Sequence, residues 1–283
     1  MSHPQCRVWF ITGTSTGFGR ALTEVVLAKG EAVVATARTP SVLADLAEQY
    51  PSDRLLPLKL DVTQPAEVAD AFEKAREKFG RIDVVLNNAG CAHGGELESV
   101  DEKAGRAVMD TNFWGAISVT RQALRFFREV NPEGHGGRLL QISSVLGIVG
   151  QPGGSFYNAS KFALEGLTES FAQELNPAWN IKPGWFRTNM KYTMRWSPPH
   201  PAYQDPEVPT ARLRASWDSI VYPGDVRKGA EAFYKIAELP DPPLHFPLGE
   251  DASTLIRAKF AEIEQVIEDY RAFSEGLQTS HPE

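Results

Sequence analysis

Short apolar runs alternating with longer amphipathic stretches constrain this chain more than any other feature. VWFIT (8–12), AVVATA (32–37), LLPLKL (55–60), DVVLNN (83–88) and RLLQIS (138–143) are almost continuously apolar. Runs of this kind suit strands of a parallel sheet covered on both faces, where neither side meets water. Between them, helical periodicity runs over about 17–29, 40–50, 65–78 and 100–130, and Thr39-Pro40 and Thr63-Gln64-Pro65 supply helix-starting residues. Strict alternation predicts right-handed βαβ units, hence an α/β fold with a doubly wound parallel sheet. Further on, a helix is expected from Tyr157 to about 175, another over YPGDVRKGAEAFYKIAEL, a last short strand at LHFPLG, and an amphipathic helix over about 252–273.

Two turns in this pattern carry chemistry. TGTSTGFG (12–19) follows the first strand and opens the first helix. Gly13 permits the tight turn, Gly17 lets the backbone approach a pyrophosphate, and Gly19 lets helix and sheet pack closely. The backbone N–H groups of Ser15, Thr16, Phe18 and their glycine neighbours would then receive the phosphates at the positive end of the helix. Such a turn standing alone could be a plain connection; its strand–turn–helix context supports a dinucleotide. The second strand ends ATAR, with Ala37 where an NAD site places an acid, followed by Arg38. An arginine there can hold a 2′-phosphate by charge-assisted bonds, so NADP is favoured, with NAD possible. The alternative for Arg38 is an exposed loop arginine.

The second feature is YNASK (157–161). Four positions put Tyr157 and Lys161 on one face of a helix. A surface ion pair would set a carboxylate opposite the lysine, whereas this spacing sets a weak acid there. Tyrosine and lysine at helical spacing are often mere surface neighbours; the surrounding motifs decide between the readings.

Taken in order, Gly13–Gly19, NNAG (87–90), Asn112 in DTNFWG, Ser144 and the YNASK pair resemble the short-chain dehydrogenase/reductase superfamily, in its ordinary non-extended form. The resemblance covers about 8–251. It implies a Rossmann-type fold and an NADP-dependent oxidoreductase acting on a secondary alcohol or its ketone. Tyr157 would be the general acid in reduction and the base in oxidation, its phenol (ordinarily near ~10) brought down by the charge of Lys161. Lys161 would also hold the nicotinamide ribose. Ser144, thirteen positions before Tyr157, would bond the reacting oxygen, with Ser143 the lesser candidate. Asn112 would hold a water in a relay to the lysine. Asn88, Ala89 and Gly90 would close over the adenine side, and Asp61 and Val62 would meet the adenine ring. The cofactor carries the hydride chemistry, while the protein supplies position and proton. The family also implies dimers or tetramers, packed through the helices carrying Asn112 and Tyr157.

One segment departs from that pattern. The family runs from the Tyr157 helix through a loop into a sixth parallel strand and then a Pro-Gly turn. Here ELNPAWNIKPGWFRT passes from Lys182 directly to Pro183, as though about five apolar residues were absent. Nothing between Asn176 and Pro183 matches the ~5–6 residues of a buried strand. Three explanations are open: residues missing from this sequence, a real deletion, or a segment rebuilt so that another strand closes the sheet. Unpaired backbone groups at roughly 1–3 kcal/mol each favour the first. Pro183, Gly184 and Thr188, which match the family turn facing the nicotinamide amide, depend on the answer.

Beyond this segment, MKYTMRWSPPHPAYQDPEVPT is too long and aperiodic for a routine connection, and a substrate loop over about 185–220 is expected. Leu146, Ile148, Gln151, Trp185 and the stretch 190–209, with Tyr192, Trp196 and Tyr203, are candidate pocket lining for an apolar or ring-bearing carbonyl compound. His93 could point the same way, or be a solvated loop histidine.

Composition sets the remaining limits. The 283 residues suit one domain spanning 1–283, with a C-terminal helix over about 252–276. A net charge of −7 with scattered basic residues argues against nucleic acid and anionic membranes. Cys6 and Cys91 have no metal or disulfide spacing, and no metal is expected. No apolar run reaches the ~20 residues of a membrane span and the start has no signal-peptide pattern, so a cytoplasmic protein is expected. Two other functions compete. A non-catalytic dinucleotide-binding regulator, or an inactive variant, would often lack the tyrosine or lysine, and both are here. An extended-type epimerase or dehydratase would bring a longer C-terminal domain and a TGxxGxxG turn, and both are absent.

Overall fold

The first apolar run forms β1 (Val8–Thr12), buried along its whole length. Its two faces feed different layers. Trp9 and Ile11 pack with Leu22, Val26 and Phe233, while Val8 and Phe10 pack with Phe72, Phe126 and Phe127. This explains why the run is apolar at every position rather than at alternate ones. In this computed structural model, residues 6–177, 181–188, 194–220 and 224–277 are described.

The strands β2 (Ala32–Ala37), β3 (Leu55–Lys59), β4 (Val84–Asn87), β6 (Gly137–Ser144), β7 (Ile181–Thr188) and β9 (His245–Pro247) join β1 in one sheet of order β3-β2-β1-β4-β6-β7-β9. Every pairing in it is parallel. The connecting helices are α1 (Gly17–Ala28), α2 (Ala44–Gln49), α3 (Pro65–Phe79), α4 (Glu102–Met109), α5 (Ala116–Glu129), α6 (Ser155–Glu174), α7 (Pro209–Ser216), α8 (Val226–Ala237) and α9 (Glu250–Asp269). A separate two-stranded ribbon pairs β5 (Ala92–Gly94) with β8 (Met194–Trp196). The strand order reverses between β1 and β4. A crevice therefore opens at their carboxyl ends, between TGTSTGFG and NNAG. Among the described residues, no helix is long and apolar enough to cross a membrane.

Three expectations change. The helix expected over 100–130 is α4 and α5 joined by a π-helical turn, Asp110–Gly115, which carries Asn112; such turns widen a helix locally to re-aim a side chain. The stretch 40–50 is a 3-10 turn, Pro40–Leu43, followed by α2.

The third change concerns the strand that looked absent. IKPGWFRT forms β7, in register with β6 from Gly137↔Ile181 to Ser144↔Thr188 and bonded to β9 on its other side. Lys182 and Pro183 are successive residues of that strand, so in this chain the segment itself closes the sheet beside β6. A slot between two parallel strands leaves both edges unpaired, and the next available segment fills it even though Pro183 has no N–H to contribute. The Pro-Gly turn is corrected along with it. Pro183 and Gly184 pair with Leu139 and Leu140 inside the sheet. Gly184 is four residues, about 13 Å at ~3.3 Å each, short of the level of Ser144. Neither residue reaches the level of the crevice, whereas Thr188 is level with Ser144.

Candidate active site

The glycine turn is held from behind. Asn88 Nδ2 donates to the carbonyls of Thr12 (2.9 Å) and Gly13 (3.2 Å), and Thr12 Oγ1 accepts from the N–H of Asn88 and of Ala89, both at 2.9 Å. Asn88 is thus a brace for the turn. Gly13 has φ +71°, and a methyl there would meet Ala89 Cα at 3.0 Å. Gly17, at φ +59°, has nothing within 4 Å of where a methyl would stand, so the mouth of the turn is open. Thr16 does not cap α1 with its side chain, and no acid stands in the first turn. The N–H groups there are free for an anion, and a pyrophosphate fits them. Ser15 and Thr16 are exposed at this mouth. The ring of Phe18 turns away onto Phe233, 5.2 Å between centroids, leaving only its backbone for a phosphate.

Around the adenine side, Val62 is buried against Gly115, and Asp61 Oδ1 is taken up by Thr63. Arg38 is exposed just past β2, with no hydrogen bond or ion pair among the described residues. Burial pushes the Cys91 thiol up, and a Thr111 hydrogen bond and the charges of Lys161 and Arg38 oppose it. The residues present therefore fit a phosphorylated dinucleotide.

Deeper in, the strand end of β6 and the first turns of α6 bring Ser144, Tyr157 and Lys161 together. Tyr157 is 5% exposed, and its hydroxyl has no well-aligned hydrogen-bond partner. Burial pushes that phenol up to about 12, Ser144 pulling weakly the other way. Lys161 Nζ donates to the carbonyl of Ile142 at 2.7 Å and lies 5.8 Å from the Tyr157 ring centre.

Asn112 is 1% exposed, and its amide is occupied. Oδ1 accepts from Cys91 N–H (2.8 Å), and Nδ2 donates to Cys91 O (2.8 Å) and Ser160 Oγ (3.0 Å). In this arrangement it ties the crevice wall to α6.

Lys161 is lowered from 10.5 to about 8, chiefly by burial, with Cys91 and Glu165 acting against it. Its proton is therefore lost earlier in the folded chain than in the unfolded one. Below pH 8 both states are charged and burial opposes folding; between about 8 and 10.5 only the unfolded chain keeps the proton, and native stability climbs with pH. At about 1.36 kcal/mol per unit, the shift is worth roughly 3 kcal/mol. Denaturant unfolding at pH 7 and pH 10 should show wild type gaining about that much relative to Lys161→Met. A constant difference would mean that the ammonium is not buried in this way.

Sequence reasoning passed over Glu165, one turn beyond Lys161. It is 6% exposed and accepts from Ser143 Oγ at 2.7 Å, fixing the residue next to Ser144. The KFALE spacing could have signalled it, since an acid four residues after a buried lysine shares its face.

Beside Tyr157 lies a small pocket, with room of about 20 Å³, walled by Leu146, Met194, Leu213 and Trp217, with Ser144 and Gln151 also on its lining. Leu146 and Gln151 were anticipated, while Leu213 and Trp217 come from α7 and the turn after it. That cover is tied down by Arg214, which reaches Glu96 at 3.0 Å and Ser197 O at 2.7 Å and stacks 4.6 Å over Trp196. Glu96 is almost fully buried, so this pair is shielded from water. Trp196 packs edge-on to Trp217, serving the cover rather than the pocket lining. Tyr203 bonds Glu98 and His93 bonds Ser197, so neither lines the pocket. Ile148 is not on its lining either. Met190 and Tyr192 fall outside the described residues, and Trp185 lies in β7.

Comparison with known proteins agrees with this geometry. Residues 7–197 match the family described as short chain dehydrogenase. An uncharacterized oxidoreductase of Schizosaccharomyces pombe, C162.03, is 41% identical over 94% of this chain and 90% of its own. A short-chain dehydrogenase from Streptomyces avermitilis has the same fold at a TM-score of 0.86, with 31% identity over 98% of this chain and all of the other. A second, from Burkholderia cenocepacia J2315, solved in complex with NADP, is alike in fold at a TM-score of 0.72 and 24% identity, covering 93% and 97% of the two chains. Likeness in sequence and in architecture thus extends over nearly the whole chain, which belongs to the short-chain dehydrogenase family of oxidoreductases.

Proposed function

We propose that the protein is an NADP(H)-dependent oxidoreductase that interconverts a secondary alcohol and its ketone, with Tyr157 as the proton-transferring group. The observation that carries this reading is the Tyr157 hydroxyl, buried and without a well-aligned partner, beside Ser144 in a largely apolar pocket. A buried phenol left without a partner is costly unless a ligand completes it. When bound, the nicotinamide supplies or accepts the hydride.

Ser144 Oγ already accepts from the Leu146 N–H at 3.1 Å, which leaves its proton free for the reacting oxygen. Tyr157 gives its proton to that oxygen in reduction and takes it back in oxidation. Lys161 adds positive charge where a nucleotide's ribose and phosphates would lie. The Met194, Leu213 and Trp217 wall keeps water from the proton donor.

The preference for NADP rests on Arg38, exposed and without a partner among the described residues. The test is oxidation of NADPH and of NADH against a panel of ketones; no turnover with either would remove the reading. Arg38→Glu should invert the cofactor preference. A charge-assisted contact is worth about 1.5–3 kcal/mol, and repulsion of the 2′-phosphate adds to its loss. The ratio of the two Kd values, read by fluorescence titration, should therefore move by ~100-fold or more. An unchanged ratio would show Arg38 to be an ordinary surface arginine.

Assembly into dimers or tetramers is part of the proposal. Trp114 and Phe162, on the helices expected to pair, are 57% and 45% exposed, and sedimentation of the purified protein measures the mass directly. A cytoplasmic location fits the two free thiols, Cys6 and Cys91.

A further inference from the structure

The last helix carries an apolar surface that the fold does not cover. Among the described residues, α9 is buried only at Ala252 and Ile256, which pack with Val145, Leu146 and Val149. From Phe260 to Leu277 every residue is exposed, through the outer half of the helix and the 3-10 turn Arg271–Ser274. Yet Phe260, Ile263, Ile267 and Tyr270 recur at intervals of three and four, the spacing of a coiled-coil seam. Val266, Phe273 and Leu277 widen the stripe, and these seven residues are 43–78% exposed. A helix standing in water with such a stripe has little to hold it beyond its own weak propensity.

The charges beside the stripe say what covers it. Glu264 and Arg271 lie seven residues apart, ~10 Å along the axis, too far to pair within one chain. Neither makes a hydrogen bond or ion pair among the described residues. Their midpoint lies between Ile267 and Glu268, within a residue of the midpoint of the stripe from Phe260 to Leu277. Laying one copy on another in the reverse direction therefore matches apolar to apolar and acid to base together. A two-fold contact requires self-complementarity of this kind.

We propose that the outer half of α9 pairs antiparallel with the same segment of a second copy, about an axis near Ile267, burying the stripe and setting Arg271 against Glu264 of the partner subunit on both sides. The available surface suffices. At ~150–250 Å² for a fully buried aromatic, Phe260, Tyr270 and Phe273, each more than half exposed, supply about half of the ~800 Å² per partner of a stable interface. The aliphatic side chains supply the rest. An anionic lipid surface fits less well, because Glu262, Glu264, Glu268 and Asp269 on the same segment would be repelled by it. This contact is separate from any pairing through Trp114 and Phe162, and it does not depend on the chemistry proposed for Tyr157.

The test is sedimentation of the full chain and four variants. Ile267→Glu should halve the mass of the wild-type assembly. Glu264→Arg and Arg271→Glu each set like charges together at two symmetric places and should weaken association by ~10-fold. The double variant, Glu264→Arg with Arg271→Glu, restores opposite charges and should return to within ~3-fold of wild type. These side chains are exposed, so circular dichroism should show all four variants folded. A wild-type chain that stays monomeric at ~100 μM overturns the inference, whether or not it binds phosphatidylserine vesicles. So does a mass untouched by Ile267→Glu, or a double variant no better than the two single ones. NADPH oxidation against ketones, measured on the same samples, reports on the oxidoreductase reading separately.

Discussion

Tyr157→Phe should lower kcat by about 10²–10⁴ while the Kd for NADPH moves less than about twofold. Burial pushes the phenol up to about 12, further above the neutral range than the ~10 of a free phenol, so its proton is present there. Phenylalanine keeps the ring, the packing among Ala92, Val108 and Met194, and the spacing to Lys161, and removes only the hydroxyl. That hydroxyl has no well-aligned hydrogen-bond partner, so its loss leaves no protein group stranded. Thermal stability should therefore hold or rise slightly, which separates a lost catalyst from a damaged fold. Turnover within tenfold of wild type would remove Tyr157 from the chemistry. A comparable loss of NADPH affinity would instead assign it to cofactor binding.

The second large effect is expected at the glycine turn, where two alanines should fail for different reasons. In Gly19→Ala, the new methyl would stand 2.4 Å from the Gly13 carbonyl oxygen and 2.7 Å from Asn88 Nδ2. Backbone cannot give way there as a flexible side chain would. The turn must open, and the bonds from Asn88 to Thr12 and Gly13 loosen with it. Overpacking of this kind costs about 1–3 kcal/mol, so both melting temperature and NADPH binding should drop, the latter by ~100-fold or more. In Gly17→Ala, nothing lies within 4 Å of the added methyl. The cost to folding is only that of a left-handed backbone, about 1–2 kcal/mol, yet the methyl points into the space where a pyrophosphate fits. Wild-type NADPH affinity in either variant would count against the phosphate cradle. Melting curves and a fluorescence titration on the same samples read both quantities.

The contrast between these glycines shows how far the sequence alone could be read. The strand–glycine–helix pattern identified both positions. It could not say that Gly19 is pinned by the carbonyl of Gly13 and by Asn88, or that Asn88 braces the turn. Those contacts join segments about seventy residues apart in sequence, and local periodicity carries no information about them. Asn112 is a parallel case. Its place in DTNFWG was visible, while the π-helical turn that spends its amide on Cys91 and Ser160 was not.

The segment after α6 was the hardest to read. Counting against a family pattern suggested a missing strand, because nothing between Asn176 and Pro183 looked long or apolar enough for the middle of a sheet. The sheet took eight residues, Ile181–Thr188, as its strand all the same. Local propensity amounts to fractions of a kcal/mol per residue, whereas a vacant slot strands hydrogen-bonding groups on two neighbours at once.

From the sequence by itself came the alternation that makes a doubly wound sheet, the glycine turn at its first crossover, and the tyrosine and lysine stacked one helical turn apart. These are short-range patterns, written in residue type and spacing, and they survive any tertiary arrangement. Only the tertiary structure decided which segment filled the sheet beside β6. It also decided that burial raises the Tyr157 phenol and that Leu213 and Trp217 cover the pocket. Each of those outcomes depends on which distant surfaces exclude water from a given side chain, and that is a property of the packed whole.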